Sequence, residues 1–352
     1  MILIRRILDT LSLIGRYGTQ GFVVSLFVGL ALPQLAAAAR PLLGVAIFTF
    51  VMMTFMRVDP RALRGLIRHP APLMLTCACL ILIPAAVGYA VVTVIGRGNL
   101  DPGLVLGLAI MAAAPPMMSA PAVAMLLKVE PTLILTAVLS TTILSPLVSP
   151  LIANLVAGAA IPLDVLTLIQ RLVWLVGGAI AAAAVLRRLL GPERIRQYGA
   201  SFDGLGVVMY FIFAVAATDG VLASTLSTPG RVVQFLGAAI ALSLAGFAVT
   251  WFVLRSVAPA QRLVLGYATG QRNMGLLIAA LGASTPDTTF LFFALAQFPV
   301  YIGPQIIKPL ARRLAPTARP PSSEGLSSGK EVTTGRFPSQ LNYDRLAEPS
   351  ST

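Results

Sequence analysis

Ten stretches of this chain are long enough and apolar enough to cross a bilayer as helices, and that recurrence constrains the fold more than any other feature. A hydrocarbon core about 30 Å thick takes about 20 residues of helix, and every backbone amide inside it must find a partner without water. The stretches run over residues 19–38, 41–56, 71–95, 102–128, 131–156, 164–186, 204–225, 232–254, 259–284 and 288–310. Hydrophobic residues make up 57% of the chain and charged ones 11%, with a mean hydropathy of +0.87, far outside the range of a soluble domain. The class expected is an all-α integral membrane protein with ten transmembrane helices.

A net charge of +13 on a soluble protein would point to nucleic acid. Here most basic residues lie between apolar stretches, where they set topology instead. With the N-terminus in the cytoplasm, the inner segments collect seventeen lysines and arginines, from Arg5 through Arg57, Arg187 and Arg196 to Arg313. The outer segments hold only Arg40, Arg97, Arg171 and Arg231. Both termini are therefore expected in the cytoplasm, with the chain in a bacterial inner (plasma) membrane and no nucleic acid as partner. Residues 1–18 read as a basic cytoplasmic lead-in without the cleavage site of a signal peptide. Residues 314–352, rich in Pro, Ser, Gly and Thr, read as a disordered cytoplasmic tail.

Ten crossings with both ends inside divide into five and five. Because five is odd, the halves, residues 19–156 and 162–313, enter the membrane in opposite directions, which is the topology of an inverted repeat. The fourth stretch of each half is interrupted. In the first half the interruption is Ala114-Pro115-Pro116-Met117-Met118-Ser119, where consecutive prolines remove amide donors and clash with carbonyls one turn earlier. In the second it is Gly270-Gln271-Arg272-Asn273. Apolar flanks of about eleven residues reach about 16 Å each, so Arg272 sits near the bilayer midplane. A guanidinium on a lipid-facing helix there costs at least about 2.5 to 3.5 kcal/mol, so it is tolerated mainly where protein or a watery cavity surrounds it. Two readings stay open for each break: a kinked helix, with Arg272 capping the second, or a solute site. Their corresponding positions favour the site, since unwound backbone at this depth survives only around a cavity.

Other polar residues are less specific. Ser140, Thr141, Thr142, Ser145 and Ser149 on the fifth stretch bond their own helix or a neighbour's, while Gln297, Tyr301 and Gln305 share one face of the tenth, either lining a cavity or joining helices. Arg171 and Asp219 lie near enough to the outer interface to snorkel, with a proton-carrying role open for Asp219. Cys77 and Cys79, two positions apart on one helix, read as packing residues rather than a disulfide or metal pair. The single histidine, His69, falls in a basic loop, and no carboxylate pair or metal cluster lies within the spans, so enzymatic activity is not expected. A channel or a non-transporting sensor is the alternative to a transporter, with an intramembrane enzyme as a third reading.

Ala113-Ala114-Pro115-Pro116 with Ser119 and the run from Thr136 to Pro150, together with Thr269-Gly270-Gln271-Arg272-Asn273 and Gly275, resemble motifs of the bile acid:sodium symporter superfamily. The resemblance covers about residues 19–313. It implies a panel of spans 1, 2, 6 and 7 beside a core of spans 3–5 and 8–10, with broken helices 4 and 9 crossing in the core and facing the panel. It also implies a secondary active transporter of an organic anion, working by alternating access. The substrate-binding residues would be Ser119, Thr269, Gln271, Arg272 and Asn273, on a crossover backbone of Pro115, Pro116, Met117 and Gly270.

Sodium-coupled members of that superfamily carry an acidic residue where this chain has Ala268, and hydroxyl or amide groups where it has Ala120 and Pro121. A sodium ion needs about five or six oxygen ligands with a negative charge nearby, so the sodium ligands are missing here and no metal or other cofactor is expected. Arg272, a permanent cation, is expected to stand in for sodium. With the amino ends of two half-helices beginning near Ser119 and Asn273, it favours the carboxylate of an organic acid, although both residues are also good helix caps. The partners expected are that anion and the lipid bilayer; homodimerisation stays open.

Overall fold

The computed structural model describes residue 10 and residues 18–58, 70–158, 161 and 163–314. Most of the lead-in, the loop bearing His69, the tail from Pro316 and the side chains of Tyr301 and Gln305 lie outside the described residues. What is described is almost wholly helical: α1 (Gly18–Ala31), α2 (Pro33–Ala39), α3 (Leu43–Arg57), α4 (Pro70–Ile95), α5 (Pro102–Ala113), α6 (Ala120–Leu126), α7 (Thr132–Ala157), α8 (Val165–Leu172), α9 (Gly178–Gln197), α10 (Gly199–Ala217), α11 (Val221–Ser227), α12 (Pro229–Val253), α13 (Pro259–Gly270), α14 (Met274–Leu281) and α15 (Asp287–Leu314). Prolines set several beginnings: Pro33, Pro102, Pro229 and Pro259 occupy first turns, where a missing amide loses no helical bond. Asp101 and Asp164 cap α5 and α8, accepting from Gly103 N at 2.8 Å and Thr167 N at 3.0 Å.

Among the described residues, six helical stretches are long and apolar enough to cross a membrane: Pro33–Arg57, Pro70–Ile95, Thr132–Ala157, Val165–Gln197, Gly199–Ser227 and Pro229–Val253. Large apolar side chains stand exposed on their surfaces, among them Leu82, Leu155, Trp174, Leu226 and Phe252. So much apolar surface calls for acyl chains as its solvent, and the chain is an integral membrane protein. Some stretches read as single helices are divided. The first parts at Leu32, ahead of Pro33, and the seventh at Gly220, which takes a φ of +76°. The sixth contains a π turn, Val173–Gly177, and its helix runs on past residue 186 to bend at Gly191 ahead of Pro192.

Two short helices are enclosed by the longer ones. Every residue of α5 from Gly103 to Ala113 is buried, as are Met274 to Ile278 of α14, which is why these segments are apolar on all sides. The α5 helix lies among α4, α7 and α15. It approaches α15 so closely that a Cβ on Gly107 would stand 2.4 Å from the Phe292 ring. The α13 helix packs against α12, α4 and α6, while α1, α3, α9 and α10 form a second group in which α10 lies along α1 and α3, and α3 along α9.

The helix crossover as candidate functional site

Both breaks fall where the sequence places them. The α5 helix stops at Ala113 because Pro115 and Pro116 can donate nothing, and α6 resumes at Ala120; α13 stops at Gly270 and α14 begins at Met274. The two unwound segments run past each other and pair as an antiparallel bridge between Pro116 and Arg272. Met117 N donates to the Gln271 carbonyl at 3.0 Å, and Asn273 N to the Pro115 carbonyl at 2.8 Å. Exchanging the two segments leaves this pattern unchanged, so the bridge is locally two-fold symmetric. Gly270 is fixed by a neighbour, since a Cβ there would lie 2.5 Å from the Ser243 carbonyl oxygen on α12.

Unwinding leaves carbonyls without helical partners, and in a low-dielectric interior each needs a donor. Arg272, only 4% exposed, supplies most of them. Its Nη1 donates to the Leu80 carbonyl at 2.9 Å and to Ala268 at a longer 3.5 Å, and its Nη2 donates to Ala114. Each acceptor is free for a local reason. Leu80 lies four residues before Pro84, which has no amide; Ala114 follows the end of α5; Ala268 belongs to the last turn of α13. The neighbouring Ala113 carbonyl accepts from Ser149 Oγ on α7 at 2.8 Å. The guanidinium thus rests on the negative carbonyl ends of α5 and α13, with no carboxylate paired to it among the described residues. Its Nε is buried without a partner.

The other expected binding residues are placed differently. Ser119 does not cap α6; its Oγ lies 2.8 Å from the Tyr267 hydroxyl. Thr269 belongs to the seam between α13 and α12, with its hydroxyl 2.7 Å from Thr250 Oγ1. Gln271 is buried with Oε1 unpartnered, its amide nitrogen close to Gly303 of α15. Asn273 starts α14 without a side-chain cap bond and is half-buried, as are Met117, Met118 and Ser119. The structure therefore gathers Pro115, Pro116, Met117, Gly270, Gln271, Arg272 and Asn273 at the crossover, with Ser119 on its rim, and turns Thr269 away. Tyr267, Ser243 and the Leu80 carbonyl are further members; only Pro84 signals the last of these in sequence.

The remaining polar residues resolve into structural pairs. Thr136, Thr141 and Thr142 donate to carbonyls four residues back, and Ser145 Oγ donates to Thr142 at 2.7 Å, a carbonyl that Pro146 leaves without its amide. Gln297 Nε2 donates to Phe293 of its own helix. Arg171 closes the end of α14, donating to Leu281 at 2.9 Å. Asp219 pairs with Arg40 at 3.1 Å; the same arginine lies 3.1 Å from Asp287 and over the Phe290 ring. Cys77 and Cys79 are free thiols, and no cluster able to hold a metal occurs among the described residues. Clefts of about 360 Å³ and 340 Å³ lie away from the crossover, near Arg187 and Gln261 respectively. No protein-family model and no curated protein matches this sequence.

Proposed function

We propose that this protein is a secondary transporter of an organic anion, built in the manner of the bile acid:sodium symporters, in which Arg272 serves as a fixed internal cation in place of bound sodium. The observation that carries this reading is the crossover, where two mid-helix breaks exchange symmetric hydrogen bonds beside a buried guanidinium held on carbonyls. Ten crossings in two inverted halves accommodate it, if the stretch Pro33–Arg57 is divided at Arg40: α1 with α2, the broken pairs α5–α6 and α13–α14, and α15 then join α3 and the five other long stretches. Helix partners recur in support. The α1 helix lies on α10 as α9 lies on α3, α4 on α5 as α12 on α13, and α4 on α7 as α12 on α15.

In this reading the first, second, sixth and seventh spans form the panel, and the other spans the core. The two half-helices beyond the bridge differ in their neighbours: α14 packs against α3 and α8 of the panel, whereas α6 packs against α13, α7 and α15 of the core. In this reading α14 joins core to panel on the outer side, while α6 keeps to the core on the side that the distribution of basic residues assigns to the cytoplasm. Met117, Met118, Ser119 and Asn273 lie half-buried at the crossover, and in this reading the amino end of α14 offers its amides to the substrate carboxylate there.

Proteoliposomes test the reading directly. Uptake of a labelled organic acid should saturate and should be indifferent to replacing sodium by potassium on both sides. Strong sodium dependence would refute the internal cation; folded protein that moves none of a broad panel of acids would refute the transporter.

A further inference from the structure

A second polar constellation stands apart from the crossover, where three membrane spans end together. The α3 helix ends at Arg57, α9 bends at Gly191, whose φ is +74°, and α10 starts at Gly199. Between them lies a cleft of about 360 Å³ lined by Arg57, Arg187, Arg196 and Gly199, with Met56 and Ile195 as apolar walls. Among the described residues no carboxylate lines it. Each guanidinium also has partners of its own. Arg57 lies 2.6 Å from Asp203 and donates to the Gly199 carbonyl at 3.5 Å; Arg196 lies 2.6 Å from Glu193; Arg187 donates to the Met56 carbonyl at 3.2 Å and to Val58.

These contacts position the arginines without using up their donors, since a guanidinium carries five N–H groups in a planar fork suited to phosphate. Asp203 and Glu193 are exposed, with side-chain exposures of 56% and 79%, so water screens much of their compensating charge. The amino end of the 19-residue α10 adds positive potential at Gly199, and its N-cap, Tyr198, offers no side-chain hydrogen bond. Three guanidiniums and a positive helix end converge on one cavity with two solvent-exposed carboxylates beside them, which leaves a net positive charge that an anion in the cleft would offset. Just before the bend α9 exposes Val185 and Leu189, so the cleft sits at the depth where acyl chains give way to headgroups.

We propose that this cleft binds a phosphate-type anion, with the headgroup phosphate of an anionic phospholipid as its source. The proposal does not depend on the transport reading. Full-length protein in a mild detergent tests it by thermal unfolding and native mass spectrometry, with short-chain phosphatidylglycerol, the matching phosphatidylcholine and inorganic phosphate as probes. Phosphatidylglycerol is expected to raise the unfolding midpoint and persist as a bound adduct, and phosphatidylcholine to do neither. Arg196→Gln, at a side chain 72% exposed and therefore removable without repacking, should weaken phosphatidylglycerol binding about tenfold. Arg188→Gln, outside the lining, should bind like the parent. If inorganic phosphate alone gives the full Arg196-dependent stabilisation, the anion site stands with a soluble ligand. Equal binding of the two lipids, or equal effects of the two substitutions, overturns it.

Discussion

A buried guanidinium near the midplane of a membrane protein is stable only if its new partners outweigh the water it lost. Placing arginine at a helix centre costs about 2.5 to 3.5 kcal/mol, whereas hydrogen bonds involving a charged group contribute about 1.5 to 3 kcal/mol each. Two good bonds, to Leu80 and Ala114, therefore offset the cost. Arg272→Ala leaves both carbonyls buried and unpaired and should destabilise the protein by about 2 to 4 kcal/mol, read as a fall in unfolding midpoint in detergent. Low-millimolar guanidinium should restore part of that loss by entering the vacated cage; failure to do so would show that the tether, not the cation, matters. Arg272→Lys should fall between, because a compact ammonium cannot bridge acceptors set for a fork. The position of this residue is legible in the sequence, but its partners are not. Nothing local indicates that Arg272 meets a carbonyl 192 residues away.

Among the helices, proline decides where polar groups are needed. Pro146 frees the Thr142 carbonyl for Ser145, and the break at Pro115 frees that of Ala113 for Ser149. Ser145→Ala and Ser149→Ala should each lower stability by about 1 kcal/mol, because each leaves a buried carbonyl unpaired. Thr142→Val should be nearly neutral, since the Val138 carbonyl it bonds already has the Thr142 amide four residues on. Chemical denaturation of the three variants in one detergent checks the contrast. Gly270→Ala should lose about 1 to 3 kcal/mol by forcing α13 off α12. The breaks themselves are readable from prolines and a charge, but the half-helices are shorter than their apolar flanks suggest. The α14 helix gives way at Gly282, with a φ of +55°, and α6 gives way just before Lys128, with a φ of +56°.

Across the whole molecule, the proposed transporter would be held shut on the side carrying Arg40 by contacts suited to opening. Arg40 reaches Asp219, beyond α10, and Asp287, at the start of α15, so it ties the panel of the proposed transporter to its core. The Arg40–Asp287 pair, with the Asp287 side chain 91% exposed, contributes about 1 kcal/mol or less, enough to bias a two-state equilibrium without locking it. In a Cys77→Ser, Cys79→Ser background, Asn273→Cys should react with an impermeant thiol reagent from the cytoplasmic side only. Adding Arg40→Gln should raise labelling from the opposite side several-fold; no change would show that the pair does not hold that side closed. Composition, the Pro115-Pro116 pair and the charge of Arg272 determine by themselves that the chain lives in a bilayer and where its two breaks fall, because those outcomes depend on solvent, on amides missing at the first break and on a cation that lipid does not tolerate at the second. Tertiary structure alone decides that the breaks pair with each other, that the Arg272 guanidinium turns onto carbonyls, and that α14 packs against α3 and α8 while α6 packs against α13 and α15. Those outcomes depend on contacts between residues more than a hundred positions apart, whose free energies no local pattern encodes.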